Sequence, residues 1–379
     1  MPLRRNVYLM YGISFFQGML FYVSISTLYR QVCGISIFQI MLIECVCTTL
    51  SMALELPWGA AAERMGYKKV MVICTFLLAF SKYIFYIADT FWLFLAERVV
   101  LGVVYSGLSG VDSSIVYLSS GEESSQRVFG IRSAANSAGL LIASAIYAAL
   151  PEGSYRLAAL LSIFTYGAAA ILTLFLAEVR EKPEKRENML AATIKCAKDM
   201  KRMKGIVPLL IMNVLFFEII MNITGFFRQL QFVRGGAGTR FISIALMIGT
   251  VCEMSGAFSD RLTRLLGERR SGLLVIALCA AGCFGMAVSA SVMLTLTVVS
   301  FMCAACVMMG ALTATMENRL VISDDRATAL SINSMLTGIV AVPLNLGLGY
   351  IVDIDLPLSF VICGILLIFA GIAFYRASE

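Results

Sequence analysis

The chain has 379 residues, 59% of them apolar and 14% charged, with a mean hydropathy of +0.86 and a net charge of +6. Soluble domains carry charge on roughly a quarter of their residues, so this composition excludes a soluble fold. There is no histidine, which removes imidazole proton carriers and any His-based metal or triad site. Eleven cysteines lie scattered in apolar runs, without the spacing of a disulfide framework. Cys303-Ala-Ala-Cys306 has redox spacing but sits mid-span without a further ligand, so it reads as small residues packing a helix. No cofactor or metal is expected.

A helix that crosses a bilayer needs about 20 mostly apolar residues. Twelve such spans are expected, the first six at about 7–29, 37–59, 70–88, 91–118, 129–150 and 155–177. The second six are expected at about 205–227, 239–259, 271–289, 292–316, 327–350 and 356–375. The first follows Arg4 and Arg5 but is too long for a signal peptide and lacks a small-x-small cleavage site, so it reads as a retained helix. Gly34 breaks the chain after span 1 and Ser36 offers an N-cap to span 2. Pro208 falls near the start of span 7, where its missing N–H costs little, and Pro343 is expected to kink span 11.

The first dense cluster of small and charged residues is Gly59 to Lys69, between spans 2 and 3. Gly59 admits a close backbone and Gly66 a tight turn, while Lys68 and Lys69 open the next helix on a basic footing. Glu63 and Arg64 can pair with each other, or the acid can sit at a helix N-terminus. A second version runs through Gly256, Asp260 and Arg261, then Gly267, Arg269 and Arg270. Asp260 lies 197 residues after Glu63, the runs opening spans 5 and 11 (from Arg127 and from Arg326) are 199 apart, and Gly34 and Gly236 are 202 apart. Offsets near 200 mark a parallel repeat of six helices. The fold is therefore expected to be all-α, with twelve transmembrane helices in two six-helix bundles, 1–177 and 205–379, joined by a linker over 178–204. In that linker Lys195, Lys198, Lys201 and Arg202 share a helical face, which suits an amphipathic helix on the inner leaflet or simply a solvated connection.

Orientation follows from Lys and Arg. With the N-terminus inside, 23 of the 30 fall on the cytoplasmic side. Arg30, Arg156, Arg228, Arg234 and Arg240 collect outside, and Lys82 and Arg98 lie within spans. Both termini are then cytoplasmic. The positive charge is a topology signal, and no nucleic-acid partner is expected.

The Gly59–Lys69 cluster resembles the signature G-x-x-x-D-R-x-G-x-R/K-R/K of the major facilitator superfamily, with Glu63 in place of the usual Asp. Glu55-Leu-Pro57-Trp-Gly59 is similar to the E-x-P-x-G helix end of one bacterial branch. The run Ser106-Gly107, Gly110 and Asp112, ending in Tyr117, is similar to that branch's fourth helix. The resemblance implies a membrane transporter rather than an enzyme, working by alternating access with the two signature loops as its inner gate. Antiporters of the superfamily often carry Gly-Pro in the fifth helix; here 131–139 holds small residues and no proline.

Ionisable residues inside spans are expensive, so each is a candidate for function. Glu44, Lys82 and Glu97-Arg98, on spans 2, 3 and 4, lie at similar depth and are expected to share one buried network. Snorkelling of Lys82 or Glu97 to the interface is the alternative. Arg98 with Gly102 resembles the superfamily's R-x-x-x-G motif, whose Arg is implicated in proton coupling. Glu218 falls near the middle of span 7, with Asn222 one turn further out. In a chain without histidine a mid-span carboxylate is the simplest proton carrier; a hydrogen-bonded structural role is the alternative. Asp112, Arg132 and Glu253 lie nearer the cytoplasm and suit an inner gate. The function these residues and the resemblance imply is proton-coupled efflux of a small molecule across the cytoplasmic membrane, by a monomer whose partners are its solute, protons and lipids. Uptake of a small nutrient or anion is the alternative, and a scaffold or sensor would want a soluble domain that the chain does not offer.

Overall fold

The computed structural model describes residues 2–179, 206–254, 259–320 and 326–378, and every regular element among them is helical. Nine helical segments there are long and apolar enough to cross a membrane, together with a shorter apolar one, Gly338–Ile354. They match nine of the expected spans. The shorter segment falls on span 11, and spans 1 and 8 complete the twelve as a broken helix and a 15-residue one.

The first half contains α1 (Pro2–Gly18), α2 (Ser26–Val32), α3 (Ile37–Met65), α4 (Tyr67–Ile87), α5 (Phe91–Leu108), α6 (Val111–Ser120), α7 (Glu122–Ala149) and α8 (Tyr155–Leu174). The second contains α9 (Ile206–Asn222), α10 (Arg228–Arg234), α11 (Thr239–Glu253), α12 (Ser259–Leu266), α13 (Glu268–Val288), α14 (Val292–Leu320), α15 (Arg326–Ile354) and α16 (Leu356–Ala377). Contacts divide the chain into two compact units, Met1–Glu184 with Thr239–Met247, and Lys185–Gly238 with Ile248–Glu379. The linker from 180 to 204, with its basic face, and Gly256 lie outside the described residues.

In the first unit α1 packs on α7 and α8, α3 on α5, and α4 on α5 and α8. The α1–α7 crossing depends on absent side chains. A Cβ on Gly18 would collide with the Asn136 carbonyl, and one on Gly139 with the Phe15 carbonyl. Gly130, earlier on the same helix, has open space where its Cβ would stand. At the entrance to α3 a capping box forms: Ser36 Oγ accepts from the Gln39 N–H at 3.2 Å, and Gln39 Oε1 accepts from the Ser36 N–H at 3.0 Å. In the second unit α13 packs on α16, and α9 on α14, α15 and α16.

The internal repeat reappears in the turns. Gly34 and Gly236 both adopt positive φ, 79° and 83°, and close α2 and α10. Around them the Ile35 N–H donates to the Arg30 carbonyl at 3.0 Å and the Ala237 N–H to the Phe232 carbonyl at 2.9 Å. These paired bonds are the same left-handed helix ending in each half. Gly66 and Gly267, with φ of 92° and 81°, likewise stand before α4 and α13.

Two spans depart from the expected continuous helices. Span 1 unwinds between Gly18 and Ser26, and span 7 forms a single π-turn, Ile223–Phe227, between α9 and α10. The breaks fall at matching places in the repeat. Opening a helix in a membrane frees backbone groups that must find other partners. At the first break α8 supplies them: the Phe21 N–H donates to Ser162 Oγ at 3.1 Å, and Thr165 Oγ1 donates to the Met19 carbonyl at 2.9 Å. Tyr166 Oη donates to the Gln17 carbonyl at 2.6 Å.

Candidate functional site

The unwinding of span 1 decides where Arg30 goes. The sequence assigns Arg30 to the outer side; the structure places it on α2 with a side chain 0% exposed. Its Nη1 lies 3.4 Å from Glu44 Oε1 and its Nη2 3.7 Å from Glu97 Oε2. Arg98 closes the ring, with Nη2 2.8 Å from Glu44 Oε1 and Nε 3.3 Å from Glu97 Oε2. Two guanidinium groups and two carboxylates therefore alternate, and the ring is neutral. Arg30 also lies over the rings of Phe85 and Phe94, 5.7 Å from each centroid.

Glu44, Glu97 and Arg98 are thus brought together as expected, but Lys82 is not their ion partner. It is buried on α4, with its Nζ 4.8 Å from the Tyr166 ring centroid and 5.8 Å from that of Tyr22. Among the described residues no carboxylate lies within 4 Å of it. Arg30 takes the place expected for Lys82.

Nearer the expected cytoplasmic end, span 4 breaks at Ser109 and Gly110, so that Asp112 opens α6. Its carboxylate forms an ion pair with Arg132 of α7. The Arg132 Nε donates to Ser14 Oγ at 3.0 Å, and Asn136 Nδ2 to the Ser14 carbonyl at 3.1 Å. Asp112, Arg132 and α1 are thereby locked together.

In the first signature loop Glu63, Arg64 and Lys69 are exposed, and Gly66 makes the turn into α4. The Lys68 N–H donates to Glu178 Oε1 at 3.2 Å, so the carboxylate beyond α8 sits at the positive end of α4. A Cβ on Gly66 would meet that carboxylate at 2.7 Å. The sequence reading misses Glu178 because it lies 110 residues downstream of the helix end it serves. The second signature loop contains a helix, α12, in which Asp260 pairs with Arg264 at 2.6 Å on an exposed face. Arg261 is exposed, and Gly267 leads into α13, where the Arg269 guanidinium stacks 3.7 Å from the Tyr375 ring centroid. Arg270 is exposed.

In the second unit Glu218 stands on α9, one turn before the π-turn. Asn345 Nδ2, from α15, donates to Glu218 Oε2 at 3.0 Å. Asn222 Nδ2 donates to Asn345 Oδ1 at 2.6 Å and to the Glu218 carbonyl at 2.7 Å. Among the described residues no cation lies within 4 Å of Glu218. A second amide–acid contact lies deeper on α9, where Asn213 Nδ2 donates to Glu317 Oε1 of α14 at 2.6 Å. Asn345 is a polar amide two residues past Pro343 in an apolar run, a signal that sequence reading could have used. Arg228, counted outside by sequence, is buried at the first residue of α10. No group of three or more metal-ligating side chains occurs among the described residues.

A family model described as Major Facilitator Superfamily matches residues 7–321 of this chain. No curated protein matches it. Among solved structures, the chain is similar to a variant of the nucleoside transporter NupG, with TM-score 0.82 and 15% identity over 99% of this chain and 100% of that one. A bacterial homolog of the human lysosomal transporter Spinster gives TM-score 0.72 and 16% identity, covering 99% of this chain and 96% of that one. A POT family transporter in complex with 5-aminolevulinic acid gives 0.73 and 13%, with 98% and 94% covered. At such identities the likeness is one of fold.

Proposed function

The chain belongs to the major facilitator superfamily, and from that premise we propose that it is a proton-coupled exporter of a small molecule in the cell membrane. It is a multi-pass secondary transporter and not an enzyme. The observation that carries proton coupling is Glu218. Its carboxylate lies in the membrane beside a helix break, held by an amide and by no cation among the described residues. An amide donor bonds an ionised carboxylate, and an amide can turn its oxygen to accept from a protonated one. Glu218 can therefore be occupied in both protonation states, as a carrier requires. Discontinuous helices near the midplane are where transporters of this kind bind substrates and coupling ions. Glu44 is the weaker candidate, because Arg30 and Arg98 both pair with it and occupy its carboxylate. Asn222 and Asn345 position the Glu218 carboxylate.

Alternating access then uses the Glu63-Arg64 and Asp260-Arg261 loops as the inner gate, with both termini cytoplasmic. The Asp112–Arg132 pair, which ties α6 and α7 to Ser14 of α1, and Glu178 at the start of α4 support that assignment. A second reading is uptake of a polar solute, favoured by full-length likeness in fold to a nucleoside transporter.

Reconstitution in liposomes tests both. An inward-acid or outward-acid pH gradient is imposed, and a panel of labelled solutes is followed. Export predicts uphill movement of one solute against the proton gradient, and uptake predicts movement with it. Glu218→Gln should reduce gradient-driven transport to background while counterflow exchange persists. A mutant driven at the wild-type rate would remove Glu218 from the role.

A further inference from the structure

We propose that Arg228 binds an anionic group, a carboxylate or a phosphate, of the transported solute. The proposal rests on the transporter reading and goes beyond it to the solute's chemistry. Arg228 follows the π-turn Ile223–Phe227 directly, and its side chain is buried within the second unit, 5% exposed. Its Nε is buried and bonded to nothing. Among the described residues the guanidinium has no hydrogen bond and no carboxylate within 4 Å. The charged and thiol groups that face it are Glu253 of α11, beyond that distance, and Cys303 of α14.

The other buried cations are accounted for. Arg30 and Arg98 are neutralised by Glu44 and Glu97. Lys82 has no ion pair either, but an ammonium can give up its proton and lies over two aromatic rings. Arginine cannot deprotonate in a protein, so Arg228 carries a full charge wherever it is. A buried charge without a partner is strongly disfavoured. Such a group is retained where a ligand supplies the missing charge, and the planar fork of arginine fits a carboxylate or phosphate through two parallel N–H donors. The place is suited to a solute. Arg228 lies six residues before Arg234 at the outer end of α10, roughly 9 Å down the helix axis. A lipid phosphate offers the same chemistry as a free anion, and the two must be separated.

The experiment is thermal unfolding of the full chain in nanodiscs of phosphatidylcholine alone. Inorganic phosphate, acetate and benzoate are the probes, with uncharged benzamide as control. Removing an unpaired charge should help the anion-free protein, so Arg228→Met is expected to melt a few degrees higher than wild type. At least one anion should raise the wild-type midpoint and leave Arg228→Met unmoved. Arg228→Lys, which keeps the charge but loses the fork, should retain a smaller shift. A lower midpoint for Arg228→Met would mean that the guanidinium is already paired, and would overturn the proposal. So would equal anion shifts in wild type and variant, or no shift in the wild type with any of the three anions. Stabilisation only on adding phosphatidylglycerol would assign the site to a lipid headgroup and overturn it too. Should Arg228→Met fail to fold, the comparison of wild type with Arg228→Lys decides, and equal shifts count against the proposal. The Glu218→Gln transport assay fails or succeeds separately, because it reads the proton and this one reads the anion.

Discussion

The two units treat buried charge in opposite ways. In the first, Arg30, Glu44, Glu97 and Arg98 pair with one another and their four charges cancel. In the second, Glu218 is held by an amide, and Arg228 stands without a counter-ion among the described residues. A neutral ring binds helices to one another and has little to offer a ligand. A lone carboxylate and a lone guanidinium are costly to keep and are open to a proton or an anion. Buried charge in the first unit is thus mostly paired within the protein, Lys82 being the exception, while in the second unit Glu218 and Arg228 are left for the proton and the anion proposed above.

The largest effect should come from opening the ring. Arg30→Leu leaves two carboxylates facing one cation, and breaking a buried pair in this way costs on the order of 3–5 kcal/mol. Arg30→Leu with Glu97→Leu removes one charge of each sign, and its loss should be smaller than the sum of the single losses. Thermal melts of the four proteins in one lipid give that coupling directly, and additive losses would show that the ring is not one unit. Lys82→Met should cost far less than Arg30→Leu, since it breaks no ion pair; an equal cost would return Lys82 to the network.

A smaller effect is expected from the second unit. Asn345→Leu removes the donor to Glu218 and the acceptor for Asn222, a loss of about 1–3 kcal/mol for a buried group left unpaired. If it proved as damaging as Arg30→Leu, the contrast between the units would fail. Gradient-driven transport by Asn345→Leu should fall while substrate counterflow survives, as for Glu218→Gln.

The smallest effect belongs to the exposed signature loop. Glu178→Gln removes the charge at the N-terminus of α4, worth about 0.3–1 kcal/mol at a surface site. Melting in high salt should shrink the difference between variant and wild type, because exposed charges are screened. A difference that ignores salt would point to packing instead.

Much of the fold is legible along the chain because a bilayer imposes its demands locally. Each span must be about 20 apolar residues, and each costly charge within it shows as an interruption. The repeat near 200 residues is legible for the same reason: Gly34 and Gly236, and Gly66 and Gly267, need positive φ, which glycine alone adopts readily. Glu44, Glu97, Arg98 and Glu218 could be singled out from depth alone. Their partners could not. Arg30 enters the ring only because span 1 unwinds at 19–25, and that break is stable only because Ser162, Thr165 and Tyr166 arrive on α8 to bond the freed backbone. Asn345 reaches Glu218 from 127 residues away, and Glu178 reaches Lys68 from 110. Hydropathy is a property of one segment against lipid, readable residue by residue. Pairing is a property of several segments against each other, and it exists only once their packing has set which polar groups must satisfy one another.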